Sequence, residues 1–408
     1  MTNRPGDTAL LFVTRSIRLF AYGFLSIVFV LYLARIGLGG PAIGLLLALT
    51  LLGDAGISLW ITTRADRIGR RRMLILGAGL MVAGGVAFLL TRRPELLMLA
   101  AIVGVISPSG NEIGPFLSIE QAALSQLVSD QQRTRVFAWY NLAGSAATAL
   151  GALVGGWLTH FAQHGGMTDF ESYRVLLVGY VVAGFVLAAL FTCLSPAVET
   201  APAVTRPSGG SRFGLHQSRG VVARLSALFA LDAFAGGFVL QSVMAYWFHV
   251  RFGASLATLG SLFFGANLLA AVSALLAHRI AARIGLVNTM VFTHLPSNVL
   301  LVLVPLMPTM GSAMAVLLAR FAISQMDVPT RQSYTMAVVA PDERAAAAGV
   351  TGIARSLGAG VAPMIGGAFL LTGSGVPFFV AGGLKIIYDL LLYRAFRRTP
   401  APTDPTAR

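Results

Sequence analysis

The chain runs to 408 residues, 56% of them hydrophobic and 11% charged, with a mean hydropathy of +0.76. Soluble domains carry roughly 25% charged residues, so a water-soluble globular protein is excluded. The formal net charge of +14 does not point to nucleic acid. About nineteen basic residues fall in loops on one side of the apolar runs, about five on the other and about five inside them, the positive-inside asymmetry of an integral membrane protein. Cys193 is the only cysteine, so no internal disulfide can form.

Apolar windows of roughly 20 residues predict twelve membrane-spanning helices, at 10–36, 41–62, 73–91, 96–123, 136–161, 173–194, 225–248, 256–277, 286–306, 310–336, 345–371 and 376–396. The first lacks a small-residue cleavage site and is flanked by Arg15 and Arg18, so it reads as a retained span rather than a removable signal. Between the second and third stands Thr62-Thr63-Arg64-Ala65-Asp66-Arg67-Ile68-Gly69-Arg70-Arg71-Arg72. Lipid cannot hold five arginines, so this segment is expected to be a short loop in cytoplasmic water. Residues 195–222, with Pro202, Pro207, Ser208, Gly209 and Gly210, read as a flexible cytoplasmic linker, and 399–408, with Pro400, Pro402 and Pro405, as a disordered tail. The expected organisation is an all-α membrane protein: a six-helix bundle over 1–194 and a pseudo-symmetric second one over 223–398. Both termini are expected in the cytoplasm, in a multi-pass protein of the cell inner membrane that works as a monomer.

The two halves resemble each other. Arg133 to Gly156 aligns without gaps on Arg344 to Gly367, so that Ser145 meets Ser356, Gly155 meets Gly366 and Gly156 meets Gly367. Extending backwards, Glu120-Gln121 falls opposite Arg331-Gln332. Ala282-Arg283-Ile284-Gly285 stands where Asp66-Arg67-Ile68-Gly69 stands in the first half. Charged loops falling in the same order argue for duplication rather than chance likeness between Ala/Gly/Leu-rich helices. A duplicated bundle with a site at the repeat interface is the build of many secondary transporters.

At these residues the chain resembles the major facilitator superfamily over nearly its full length. The family's loop motif, Gly-x-x-x-Asp-Arg-x-Gly-Arg-Arg, is matched by Asp66, Arg67, Gly69, Arg70 and Arg71, with Thr62 in place of the leading glycine. The resemblance implies a cytoplasmic latch. Asp66 would accept hydrogen bonds at the positive end of a neighbouring helix, and the arginines would pair with acids at the inner ends of other spans. Glu120 and Arg133 are read as belonging to the same latch. The family's fifth-span motif, Gly-Pro-x-x-Gly-Gly, is associated with antiport. It appears as Gly151-Ala152-Leu153-Val154-Gly155-Gly156 without the proline, and as Ala362-Pro363-Met364-Ile365-Gly366-Gly367 in the eleventh span with it. The family's fourth-span arginine is missing, and Arg320 in the tenth is its candidate counterpart.

A charge inside a span costs at least about 2.5–3.5 kcal/mol, so each needs a partner or a wet cavity. Glu112 and Asp232 have no opposite charge one turn away on their own helices. With Asp54 they are the candidates for proton coupling, structural tethering being the alternative. Lys385, the only lysine in the chain, either serves the cavity or pairs with Asp389 one turn on. Asp327 and Arg331 are in the favourable order for an intrahelical pair, with Pro329 between them. Arg355 replaces the Gly144 of the first half; it either faces a substrate carboxylate or phosphate, or neutralises Glu112 or Asp327. Arg320, Gln241, Asn141 and Tyr22 complete the candidate cavity residues. Arg15 and Arg18 are expected to snorkel to the headgroups, His294 to be a packing residue, and Trp139, Trp247 and Phe248 to face lipid or its interface.

The expected function is secondary active transport of a small organic solute by alternating access, proton-coupled efflux foremost. Uptake or facilitated diffusion of an organic anion held by Arg355 and Lys385 is the alternative, and a transporter-like receptor a minor one. No cofactor or metal is expected. No glycine loop with a Walker lysine points to ATP hydrolysis, and no HExxH, cysteine–histidine cluster or serine elbow points to an enzyme. The expected partners are the solute, protons and the bilayer.

Overall fold

A computed structural model of the chain describes residues 5–112, 114–199 and 215–397. The described residues are all-helical, with short turns and no strand. That is how a chain in hydrocarbon satisfies its backbone hydrogen bonds locally. The order is α1 (Pro5–Ser26), α2 (Phe29–Arg35), α3 (Gly40–Ile68), α4 (Arg70–Leu90), α5 (Pro94–Val103), α6 (Phe116–Leu127), α7 (Asp130–His164) and α8 (Asp169–Thr192). It continues with α9 (Arg219–Gly237), α10 (Gln241–Phe252), α11 (Leu256–Ile284), α12 (Leu286–Leu303), α13 (Met310–Ser324), α14 (Asp327–Val338), α15 (Arg344–Leu370) and α16 (Val376–Phe396).

Among the described residues ten helical segments are long and apolar enough to cross a membrane, where twelve were expected. The difference falls on the fourth and tenth spans. The fourth divides into α5 and α6 around the non-helical residues 104–112 and 114–115, where Gly110 and Gly114 adopt positive φ and Pro108 and Pro115 lack an N–H. The tenth divides into α13 and α14, immediately before Pro329. The proline cannot donate to the Gln325 carbonyl one turn back, so the helix restarts at Asp327. The first and seventh spans are interrupted as well, between α1 and α2 at Ile27–Val28 and between α9 and α10 at 238–240.

The basic segment 62–72 is not a loop. α3 continues to Ile68, α4 begins at Arg70, and Gly69 alone makes the turn at φ 116°. Arginine is a good helix former, so helices project past the apolar run with their charged ends in water. The ends of the expected linker are anchored, whereas its middle and the tail, 200–214 and 398–408, lie outside the described residues.

The helices fall into two compact units, one of Met1–Val204 with Leu240–Phe264, the other of Thr205–Val239 with Gly265–Arg408. Residues 240–264, grouped by sequence with the second half, thus pack in the first unit. There Gln241 Nε2 donates to Ser26 Oγ at 2.7 Å, the Ser242 N–H to the Pro108 carbonyl at 3.1 Å and Trp157 Nε1 to Ser261 Oγ at 3.1 Å. Trp247 and Phe248 are buried in this packing rather than facing lipid, while Trp139 is exposed. Large apolar side chains such as Leu99, Phe161, Met364 and Leu390 are exposed, as lipid-facing positions require.

Candidate functional site

Each unit holds a buried ionic cluster beside a broken span. In the first unit Arg18 of α1 is fully buried, and its guanidinium forks onto Glu120 of α6, Nη1 to Oε1 at 2.8 Å and Nη2 to Oε2 at 2.7 Å. Its Nε donates to Glu112 Oε1 at 3.0 Å. Tyr140 of α7 donates to Glu120 Oε2 at 2.5 Å, and Thr14 to Oε1 at 3.3 Å. Arg15 pairs with Glu112 Oε2 at 3.3 Å, donates to Asn141 Oδ1 at 3.3 Å and lies 4.3 Å from the Tyr140 ring centre.

Two cations and two acids therefore compensate one another, and three expectations change. Arg15 and Arg18 do not snorkel, because a planar five-donor fork bridging two carboxylates offsets its own desolvation. Glu112 is not unpaired; it sits in the non-helical stretch before α6 and meets both arginines. Glu120 pairs with Arg18 rather than with an arginine of the loop motif. Asp54 of α3 differs, since among the described residues no cation lies at ion-pair distance from it; its Oδ1, like the hydroxyl of buried Tyr22, has no hydrogen-bond partner there.

In the second unit Asp232 of α9 is the hub. Its Oδ1 accepts from Lys385 Nζ of α16 at 2.5 Å and its Oδ2 from Arg331 Nη1 of α14 at 3.1 Å. Arg331 also pairs with Asp327 Oδ2 at 3.2 Å, the intrahelical pair expected from spacing. Lys385 does not take Asp389; that carboxylate faces His294 Nδ1 and Asn298 Nδ2 of α12, both at 2.8 Å. His294 Nε2 lies 3.9 Å from Asp232 Oδ1, so a buried chain of titratable groups runs Asp389, His294, Asp232, Lys385. Sequence reasoning passed over this role of His294 and Asp389. The spacing of His294 to Asn298, one helical turn, was the available signal for that half of the cluster. Arg320 is buried on α13 and Arg355 half-buried on α15, and among the described residues neither makes an ion pair.

With this geometry described, the comparisons can be placed. The family model described as Major Facilitator Superfamily matches residues 11–326. The chain belongs to that superfamily. It is similar to an uncharacterized membrane protein of Saccharomyces cerevisiae, YJR124C, at 29% identity over 95% of this chain and 93% of the relative. A partial likeness, 29% identical over 39% of this chain and 36% of the relative, links it to the multidrug resistance protein MdtH of Proteus mirabilis. Its fold is similar to that of a bacterial homolog of the human lysosomal transporter Spinster, with a TM-score of 0.74 at 16% identity, covering 100% of this chain and 99% of that one. As a member of this superfamily the chain belongs to a family of multi-pass membrane transporters.

In this superfamily member the loop motif holds α4 in place. Asp66 pairs with Arg70 Nε at 2.9 Å, one turn on, while Arg70 and Arg71 reach the Val198 and Leu194 carbonyls, each at 3.4 Å. The positive end of α4 is met by Glu199, which accepts the Arg70 and Arg71 backbone N–H groups at 2.6 and 3.2 Å. Arg67 is exposed, and Arg133 donates to the Ser125 carbonyl at 3.0 Å. Glu343 does for α9 what Glu199 does for α4: it accepts the backbone N–H groups of His216, Gln217 and Ser218, the last two at 2.8 Å. Burial pushes this carboxyl up, but the Ser218 hydroxyl and those N–H donors outweigh it and hold it down at about 2.

Proposed function

We propose that the chain moves a small organic solute across the inner membrane by alternating access of two six-helix bundles, as a proton-coupled secondary transporter whose direction is export. The observation that carries this reading is the pairing of broken spans with buried ions. The first and fourth spans are interrupted in one half, the seventh and tenth in the other, and a charged cluster borders each set. Interrupted helices at corresponding places in two repeats are the strongest pointer to a transporter's binding region. The partial likeness to a multidrug resistance protein supports export. Twelve spans and cytoplasmic termini follow from counting the divided fourth and tenth helices as single crossings.

The coupling acid is Asp54. Glu112 and Asp232 each hold two cations, whereas among the described residues no cation lies at ion-pair distance from Asp54. Proteoliposomes containing a trapped pH-sensitive dye test this. A solute selected by thermal-shift screening should drive proton movement that Asp54→Asn abolishes while solute binding persists. The sign of the pH change separates exchange from symport, and flux that ignores both the pH gradient and an uncoupler would refute coupling.

A further inference from the structure

The interior cluster of the second unit contains four cations, Arg320, Arg331, Arg355 and Lys385, and three acids, Asp232, Asp327 and Asp389. The contacts partition them completely. Lys385 and Arg331 take Asp232, Arg331 takes Asp327, and His294 with Asn298 takes Asp389. Arg320 and Arg355 are left over. Among the described residues neither has a carboxylate at ion-pair distance.

Arg320 is the sharper case. It is buried in α13, its Nε donor has no partner, and its guanidinium lies 4.9 Å from the ring centre of the adjacent Phe321. Ser324, one turn further along the same helix, also has a buried hydroxyl without a partner. α12, packed against α13, carries two more unpartnered atoms, Ser297 Oγ and Asn298 Oδ1. A guanidinium cannot shed its charge when desolvated, as an ammonium can. Leucine or methionine at position 320 would fold more stably, so an uncompensated arginine has the signature of a residue kept for function at the expense of stability.

We propose that Arg320 is the binding residue for an organic anion, whose carboxylate or phosphate supplies the counter-charge that this buried guanidinium lacks. This rests on the transporter reading and names its substrate class. The planar donors of a guanidinium fit an oxyanion bidentately, and the Ser324 hydroxyl, one turn along α13, is a further unpartnered donor.

The test is thermal unfolding of the purified full-length chain with benzoate and phenyl phosphate, compared with benzamide and benzylamine at equal ionic strength. Only the two anions should raise the Tm. Arg320→Met should raise the ligand-free Tm by a few degrees while weakening anion binding about tenfold or more, the change expected for one lost charge-assisted contact. Arg320→Lys should keep part of it, and Arg64→Gln, an exposed control, should change neither. A ligand-free Arg320→Met protein that melts lower, no gain from either anion, or an equal gain from benzamide or benzylamine would overturn the proposal. Transport is judged separately in proteoliposomes. Flux of an uncharged solute that survives Arg320→Met refutes the anion site alone, and anion binding without any flux refutes transport alone.

Discussion

Lys385 Nζ lies 2.5 Å from Asp232 Oδ1, so the single lysine of the chain spends its charge on an acid of another helix rather than on Asp389 one turn along its own. Asp232 is thereby held between Lys385 and Arg331. Breaking a buried pair outright typically costs about 3–5 kcal/mol. Lys385→Ala leaves Asp232 with Arg331, which Asp327 shares, so a smaller loss is expected, part of which Asp232→Asn should recover. Unfolding of the two single variants and the double variant measures the coupling. Additive losses would show that the two residues do not stabilise each other.

Arg18 offers a contrasting case, because shape as well as charge is at stake. Its fork places three donors on two carboxylates at 2.7 to 3.0 Å. Arg18→Lys keeps the charge and loses the fork, so it is expected to destabilise nearly as much as Arg18→Gln. Tyr140→Phe removes one hydrogen bond to the charged Glu120 and should cost about 1.5–3 kcal/mol. Thermal unfolding of the three variants in lipid nanodiscs ranks them. A lysine variant as stable as the parent would mean that geometry contributes nothing.

These two clusters show where sequence reasoning reaches and where it ends. Hydropathy located the helices, since a span must be apolar over its whole length whatever it packs against. Averaging over a window hid the breaks between α5 and α6 and at Gln325–Met326, where the surroundings remain apolar but glycine and proline alter the backbone. Local spacing found Asp327 with Arg331, a pair that one helix encodes. It could not find Lys385 with Asp232, or Arg18 with Glu120, because those partners meet only after distant helices pack. Arg15 and Arg18 also lie near the end of an apolar run, where hydropathy alone cannot distinguish a side chain reaching out to headgroups from one reaching inward. The motif at 62–72 pointed to the family but concealed Glu199, the acid that in fact meets the end of α4.

Glu343 makes stability depend on pH at the start of α9. An unfolded glutamate titrates near 4.3, and in the folded chain its backbone N–H donors hold it at about 2. A depressed folded pKa means that the stabilisation is fully present above the unfolded value and is lost as pH falls from about 4.5 towards about 2. Glu343→Gln should therefore melt lower than the parent at pH 6, and the gap should narrow as the pH approaches 3. Melting curves across that range provide the check. A gap that stays constant with pH would mean that the carboxylate charge plays no part in holding His216, Gln217 and Ser218.

The packing of α15 against α9 leads to a prediction that needs no charge at all. A Cβ at Gly358 would sit 2.3 Å from the Ala230 carbonyl oxygen and 3.1 Å from its carbon, both backbone atoms of α9 that cannot rotate away. Small residues at such a crossing let two helices approach closely, which in lipid is a main source of helix association. Gly358→Ala must therefore push α15 off α9, and overpacking of this kind costs about 1–3 kcal/mol. Gly349 on the same helix has nothing within 4 Å of its would-be Cβ. There Gly349→Ala should stabilise by up to roughly 1 kcal/mol through helix propensity. The two substitutions are chemically identical and should move the Tm in opposite directions; a shift of the same sign in both would mean that α15 and α9 do not meet as closely as Gly358 requires.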